Sequence, residues 1–238
     1  MESRLELPIS PQPDDFTCGP TCLQAVYGYY GDPLPLRRVI REVSPLEGGG
    51  TLAVLLGCHA LGRGYRAAIY TYNLHIFDPT WFANQKLDLR SRLEEQRRVK
   101  RSRKLRAETD AYLEFLDQGG IMRYEDLTPA LIRRFLSRSI PILTGLSATY
   151  LYRSAREHGP ESTPDDINGE PVGHFVVLSG YDPEEREVLV ADPLLPNPVS
   201  KTHIYRVGID RLIGSILLGI VTSDANLLVI EPPRKRKP

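Results

Sequence analysis

The sequence predicts an α+β protein: N-terminal helices packed on a mainly antiparallel sheet, with a charged helical insertion between them. Three observations carry this expectation. Apolar residues recur at helical spacing in the first quarter of the chain. Six short runs rich in β-branched and aromatic residues, each bounded by turn residues, follow later. A stretch at about 84–118 has a composition of its own.

Residues 1–17 read as an extended lead carrying Pro8, Pro11 and Pro13. A helix is expected next, with Thr17 as N-cap and Pro20 in the first turn, where a missing N–H costs little. Cys22, Leu23, Val26, Tyr27 and Tyr30 give it an apolar face, and Gly31 sits where a C-terminal glycine belongs. A second short helix covers Leu36 to Val43. The run GGGT at 48–51 breaks the chain, and Thr51 is placed to cap a third helix from Leu52 to Leu61, ended by Gly62 and Gly64. That run lacks the lysine and the fixed spacing of a phosphate loop. Strands are expected at 66–72, 140–146, 174–181, 187–192, 202–207 and 226–230. Between the first and second of these, residues 86–106 hold ten Lys/Arg and three acids and no proline or glycine, which predicts one long charged helix. The tail at 232–238 reads as disordered. No internal repeat is present, so residues 1–238 are expected to form a single domain.

The 238 residues are 41% hydrophobic and 25% charged, with 30 basic and 30 acidic side chains. That balance gives no argument for nucleic acid or membrane partners, and the basic segment has no interleaved aromatic platform for bases. The N-terminus MESRLELPIS does not read as a secretory signal. The longest apolar stretch, 212–221, is short of the roughly 20 residues a membrane helix needs. Three cysteines do not suggest a disulfide framework. These features predict a cytoplasmic protein that keeps a free thiol. Cys58 next to His59 has no second ligand pair at metal spacing, so neither a metal site nor a cofactor is expected. The composition does not fix an oligomeric state.

The chemistry concentrates in QPDDFTCGPTCL, residues 12–23. Cys18 stands in the first turn of a predicted helix, where unpaired N–H groups and the positive end of the helix dipole favour a charged sulfur. Gly19 is expected to leave open space beside it. Gln12, six residues upstream, can bring its amide to an oxyanion formed at Cys18. A thiolate nucleophile needs a proton partner. His174 opens the strand HFVVLSGY, and a hairpin turning at 182–186 returns Asp192 beside it, where a carboxylate could hold the ring in one tautomer. Asp182 has a complete explanation in its own turn, and Asp165 and Asp166 lie in the loop before the strand. Cys22, one helical turn after Cys18, reads as core, as does Cys58. His59, His75, His158 and His203 have no matching context.

Glutamine, six residues on a cysteine followed by Gly-Pro, then His-Phe-Val-Val-Leu, then Ala-Asp-Pro: this pattern resembles the papain-like cysteine peptidases that process double-glycine leaders of bacteriocins, in their free-standing, transporter-less form. It falls on Gln12, Cys18, Gly19, Pro20, His174, Phe175, Val176, Val177, Leu178, Ala191, Asp192 and Pro193. The resemblance covers about 8–72 and 125–230, and the basic segment is not part of it. It implies a papain-like fold with Cys18 as nucleophile, His174 as base, Asp192 as orienter and Gln12 as oxyanion donor. Cleavage of a peptide or amide bond through an acyl-thioester is then expected, on a peptide or protein substrate. The basic segment suggests that this partner is acidic. An acyltransferase with the same triad and a catalytically silent peptide-binding domain are the alternatives.

Overall fold

The computed structural model describes residues 3–43, 50–83 and 87–233. Gly48 and Gly49 of the glycine run and residues 234–238 of the tail lie outside them. In chain order the elements are β1 (Ser3–Arg4), α1 (Cys18–Tyr29), α2 (Leu36–Glu42), α3 (Ala53–Gly62), β2 (Arg66–Thr71), α4 (Thr80–Ala83), α5 (Leu89–Val99), α6 (Arg103–Asp117), β3 (Ile121–Arg123), α7 (Pro129–Leu136), β4 (Ile142–Ser147), α8 (Ala148–Tyr152), β5 (Glu157–His158), β6 (Thr163–Pro164), β7 (Gly173–Asp182), β8 (Glu187–Ala191), β9 (Ile204–Gly208), α9 (Ile209–Leu218) and β10 (Asn226–Glu231). A 3₁₀ turn, Gly219–Thr222, follows α9.

The main sheet runs β3-β2-β10-β4-β7-β8-β9, with β1 also paired to β7. Only the β2–β3 pair is parallel among the described residues. Alternation along the strands divides the core in two. Leu228 and Ile230 of β10 and Phe175 and Val177 of β7 face α1, α2, α3 and α6. Leu227 and Val229, with Val176 and Leu178, face α7 and α9. All six strands expected from composition are present, with ends shifted by one or two residues.

The helices show where local signals were overruled. Thr17 does occupy the N-cap of α1, but its side chain makes no cap bond; the hydroxyl donates to the Asp14 carbonyl at 3.2 Å. Gly31 takes φ of +76° just past the C-terminus of α1, a conformation that costs a glycine little. For α3 the N-cap is Leu52, not a threonine, and the Thr51 hydroxyl is buried without a hydrogen-bond partner among the described residues.

The long charged helix is in fact two, α5 and α6, with the break at residues 100–102. Ser102 caps α6 by accepting from the Leu105 N–H at 3.3 Å, and Asp88 caps α5 by accepting from Arg90 and Ser91. Two capped starts stabilise two helices better than one uninterrupted rod. The pair also has an apolar side that its charge count hides. Leu93, Ala111, Tyr112 and Phe115 are buried in the core with α3. Phe115 fills a slot kept open by two glycines: a Cβ on Gly57 would come 2.7 Å from its ring, and one on Gly120 2.4 Å. Its truncation to alanine should cost about 3–5 kcal/mol of stability.

Candidate active site

Four elements meet at one cleft. α1 crosses the sheet so that the Cys22 thiol donates to the Phe175 carbonyl at 3.2 Å, which anchors its first turns beside the start of β7. One turn earlier, Cys18 therefore sits next to His174, the second residue of β7. Gly19 makes this fit possible, although not by leaving open space: a Cβ there would stand 2.5 Å from the Thr51 methyl and 3.2 Å from Leu56. The glycine lets Thr51 close over α1. The cleft has a volume of about 510 Å³, and Gln12, Cys18, Thr51, Tyr152 and His174 are among its lining residues.

The β7–β8 hairpin delivers Asp192. Near its turn, Asp182 pairs with Glu187 and Tyr181 with Val188, whereas Leu178 pairs with Val190 and Val177 with Ala191. The offset between these registers is a bulge at Ser179. Continued past Ala191, the bulged register sets Asp192 opposite Val176, on the face that His174 also uses. Without the bulge it would stand opposite Val177, on the other face, because a one-residue slip inverts every side chain.

Asp192 lies fully buried behind the imidazole and accepts four hydrogen bonds. Its Oδ1 accepts from His174 Nε2 at 2.8 Å and from the Leu194 N–H at 2.9 Å. Its Oδ2 accepts from the hydroxyls of Tyr152 at 2.7 Å and Tyr205 at 2.6 Å. Burial alone would raise its pKa; the imidazole and the two hydroxyls outweigh burial and hold it below the ordinary carboxylate value. With Nε2 engaged, Nδ1 is the ring nitrogen left for the Cys18 sulfur. Burial pushes the His174 pKa down, but the bonds to Asp192 and Cys18 override it and raise it to about 10. The ring is thus held as an imidazolium. Burial pushes the thiols of Cys22 and Cys58 up, Cys58 to about 12.

Gln12 is fixed through its backbone, whose N–H donates to the Pro193 carbonyl at 2.9 Å, next to Asp192. One N–H of its side-chain amide donates to the Asp14 carbonyl at 2.9 Å, and its Oε1 is buried with no hydrogen-bond partner among the described residues. The four residues singled out in the sequence are therefore brought together. The competing carboxylates are not: Asp182 accepts from Glu184 and Glu185 in its own turn and from Arg206 on β9, and Asp165 from Ile167 and Asn168. His59 bonds Tyr27 and Glu42 away from the cleft, and His203 bonds the Asp192 carbonyl through Nδ1 at 2.6 Å. Tyr152 and Tyr205 escaped the sequence reading. Tyr205 lies in a strand recognised as such, where alternation offered a weak signal; for Tyr152 on the short helix α8 there was none.

Residues 105–208 match the model of the Peptidase_C39 like family. The match takes in His174 and Asp192, starts inside the charged helical pair and excludes Cys18. No curated protein matches the chain significantly. Among solved structures, a protein assigned as a C39-like peptidase from Bacillus anthracis is 14% identical, with a TM-score of 0.51 and coverage of 98% of this chain and 100% of that one. The peptidase domain of Streptococcus ComA, a bi-functional ABC transporter, is 13% identical, with a TM-score of 0.45 and coverage of 95% and 99%. Xylellain, a cysteine protease from Xylella fastidiosa, is 14% identical, with a TM-score of 0.45 and coverage of 98% and 86%. The chain thus has the papain-like α+β fold with a mainly antiparallel sheet, and over residues 105–208 it is similar to the Peptidase_C39 like family.

Proposed function

We propose that the chain is a cysteine peptidase that cleaves a peptide or amide bond through an acyl-thioester on Cys18. The observation that carries this reading is the buried His174–Asp192 pair, at 2.8 Å, turned toward Cys18 in a cleft large enough for a peptide segment. A buried ion pair with this shell is costly to maintain for stability alone, and its directed geometry suits proton transfer.

In this mechanism the Cys18 thiolate attacks the scissile carbonyl. The resulting oxyanion takes hydrogen bonds from the side-chain amide of Gln12 and the backbone N–H of Cys18. His174 gives its proton to the departing amine, leaving the thioester on Cys18. It then takes a proton from water, whose oxygen attacks the thioester carbonyl and frees the sulfur. Asp192 keeps its charge throughout and holds the ring. We place all of residues 1–238 in one catalytic unit, since the charged helical pair contributes Tyr112 and Phe115 to the core beneath the site.

The test is to incubate the protein with a mixture of unstructured peptides, quench with acid and map adducts by mass spectrometry. Peptide cleavage together with a thioester-linked fragment on Cys18, and neither in Cys18→Ala, is expected. Cleavage that persists in Cys18→Ala refutes the reading.

A further inference from the structure

The cleft has a second chemical feature, apart from the nucleophile and its base. Among its described lining residues are three carboxylates, Asp15, Glu157 and Asp224, and no lysine or arginine. Asp224 differs from the other two. It is 5% exposed, while Asp15 is exposed and Glu157 half-buried. It sits in the link between the 3₁₀ turn and β10, with its N–H donating to the Gly219 carbonyl at 2.9 Å.

The backbone is bent to aim this carboxylate. The residues on either side, Ser223 and Ala225, both adopt left-handed conformations, with φ of 68° and 52°. Neither is a glycine, so each carries strain of the order of 1 kcal/mol or more. Its surroundings are also cleared for it. A Cβ on Gly145 of β4 would meet Oδ1 at 2.5 Å, and one on Gly173, the neighbour of His174, would meet Oδ2 at 2.6 Å. Two strands thus present a glycine where the carboxylate lies, immediately beside the catalytic base.

The carboxylate is short of partners. Oδ2 accepts from the Thr222 hydroxyl at 2.9 Å, and Oδ1 takes no hydrogen bond among the described residues. The charged and titratable groups facing it are His174 from β7 and Glu108, Lys104 and Tyr112 from α6. Of these, His174 is committed to Asp192 and Cys18, while Lys104 is largely exposed and reaches toward Glu108 at 3.9 Å. Burial is the main influence on Asp224 and, against the Thr222 bond, raises its pKa to about 7. A buried carboxylate whose neighbouring cations are engaged by other groups is an unfavourable arrangement that an incoming cation would relieve.

We propose that Asp224 is a specificity-determining residue, forming a subsite for a cationic side chain, lysine or arginine, in the peptide segment bound beside Cys18. This rests on the peptidase reading of the same cleft. Asp15 and Glu157 extend the negative potential along the cleft walls and draw basic segments in. The charge on the cleft thus favours a basic substrate, opposite in sign to the partner suggested by the basic helical segment.

The experiment uses peptidyl chloromethyl ketones, which alkylate the nucleophile without turnover. Two series carry lysine or neutral norleucine as the first or second residue before the reactive carbon. At pH 8, lysine is expected to raise the second-order rate of Cys18 alkylation by about tenfold or more at one of the two positions. Asp224→Asn should bring the two rates together. In the unaltered protein the preference should shrink as pH falls through about 7, where Asp224 takes up its proton. This arm needs no variant and stands if Asp224→Asn fails to fold. Equal rates with lysine and norleucine, or a preference that survives in a folded Asp224→Asn, overturn the proposal while leaving the peptidase reading intact. Failure of every ketone to alkylate Cys18 overturns both.

Discussion

The clearest quantitative consequence of the site concerns the protonation of His174. Its pKa stands at about 10 although burial of the ring works in the other direction, and the Asp192 hydrogen bond is the strongest influence raising it. Asp192→Asn removes the charge with little change of shape. The Asn oxygen must take the place of Oδ1, because His174 Nε2 and the Leu194 N–H both donate there. Its NH₂ then faces Tyr152 and Tyr205, whose hydroxyls can turn to accept. The ring stays oriented while the charged partner is lost. A hydrogen bond to a charged group is worth about 1.5–3 kcal/mol, and about 1.4 kcal/mol corresponds to one pKa unit. The His174 midpoint should therefore fall by about one to two units. Ring-nitrogen NMR titration, with the signal assigned from His174→Ala, reads this without a substrate. A midpoint that stays near 10 in Asp192→Asn refutes Asp192 as the group that charges the ring. The same shift has a stability consequence. The raised folded-state pKa gives a contribution fully present below about 6.5 and lost as pH rises through about 10, and in Asp192→Asn the loss should be complete at lower pH.

At about pH 6, iodoacetamide should modify Cys18 well before Cys22 or Cys58, whose thiols are held protonated by burial; equal modification of all three on mass mapping would count against a catalytic thiol. Gln12→Ala should lower kcat by a factor of about 10² to 10³ while alkylation of Cys18 by iodoacetamide proceeds at nearly the original rate, because that reaction forms no oxyanion. Tyr205→Phe should cost about 1 kcal/mol or more of stability in denaturant titration, since it removes one donor from a buried carboxylate, and it should not lower the His174 midpoint, since the Asp192 charge remains. Arg97→Gln should change stability by less than about 1 kcal/mol, with a loss that shrinks in high salt, because its partner Asp110 is half exposed.

The charged segment shows why composition misled. Ten cations against three acids over 86–106 suggested one free basic helix and an acidic partner. Much of the compensation comes from further along the chain. Arg97 pairs with Asp110 and Arg90 with Asp117, both on α6, while Arg92 pairs with Glu95 within α5. Lys100 and Arg106 donate to the carbonyls of His75 and Lys100. A window of fixed length counts α5 and omits the acids of α6, so the excess is partly a product of where the window ends. A hairpin of helices is hard to see in sequence when its turn lacks glycine and proline, as at 100–102. The α7 helix was missed for a different reason: Thr128 and Pro129 give it a clear start, but it is only eight residues long and falls between the charged segment and the strand signal at 140–146.

The candidate site residues were legible because their types and order carry the proposed chemistry; what sequence could not supply is the register that brings them together. Counting from the 182–186 turn in regular antiparallel pairing, Asp192 reaches the neighbourhood of His174 but on the wrong face. The correct placement depends on the bulge at Ser179, and the bulge depends on packing from elsewhere. β1 runs along β7 at this point, with Ser3 paired to Tyr181 and the Leu5 N–H donating to the Ser179 carbonyl at 2.7 Å. A Cβ on Gly180 would stand 2.4 Å from the Ser3 carbonyl, so the glycine admits β1 where the pairing shifts. Residues near the N-terminus thereby help set the geometry of a base and orienter some 170 positions away. Gly180→Val should push β1 from the sheet, loosen the bulge and weaken the His174–Asp192 bond without touching either residue. The expected signature is a lowered His174 midpoint in the NMR titration with Cys18 still present and the sheet still folded by circular dichroism. A midpoint unchanged from about 10 in a folded Gly180→Val would show that the register is held by the β7–β8 hairpin alone.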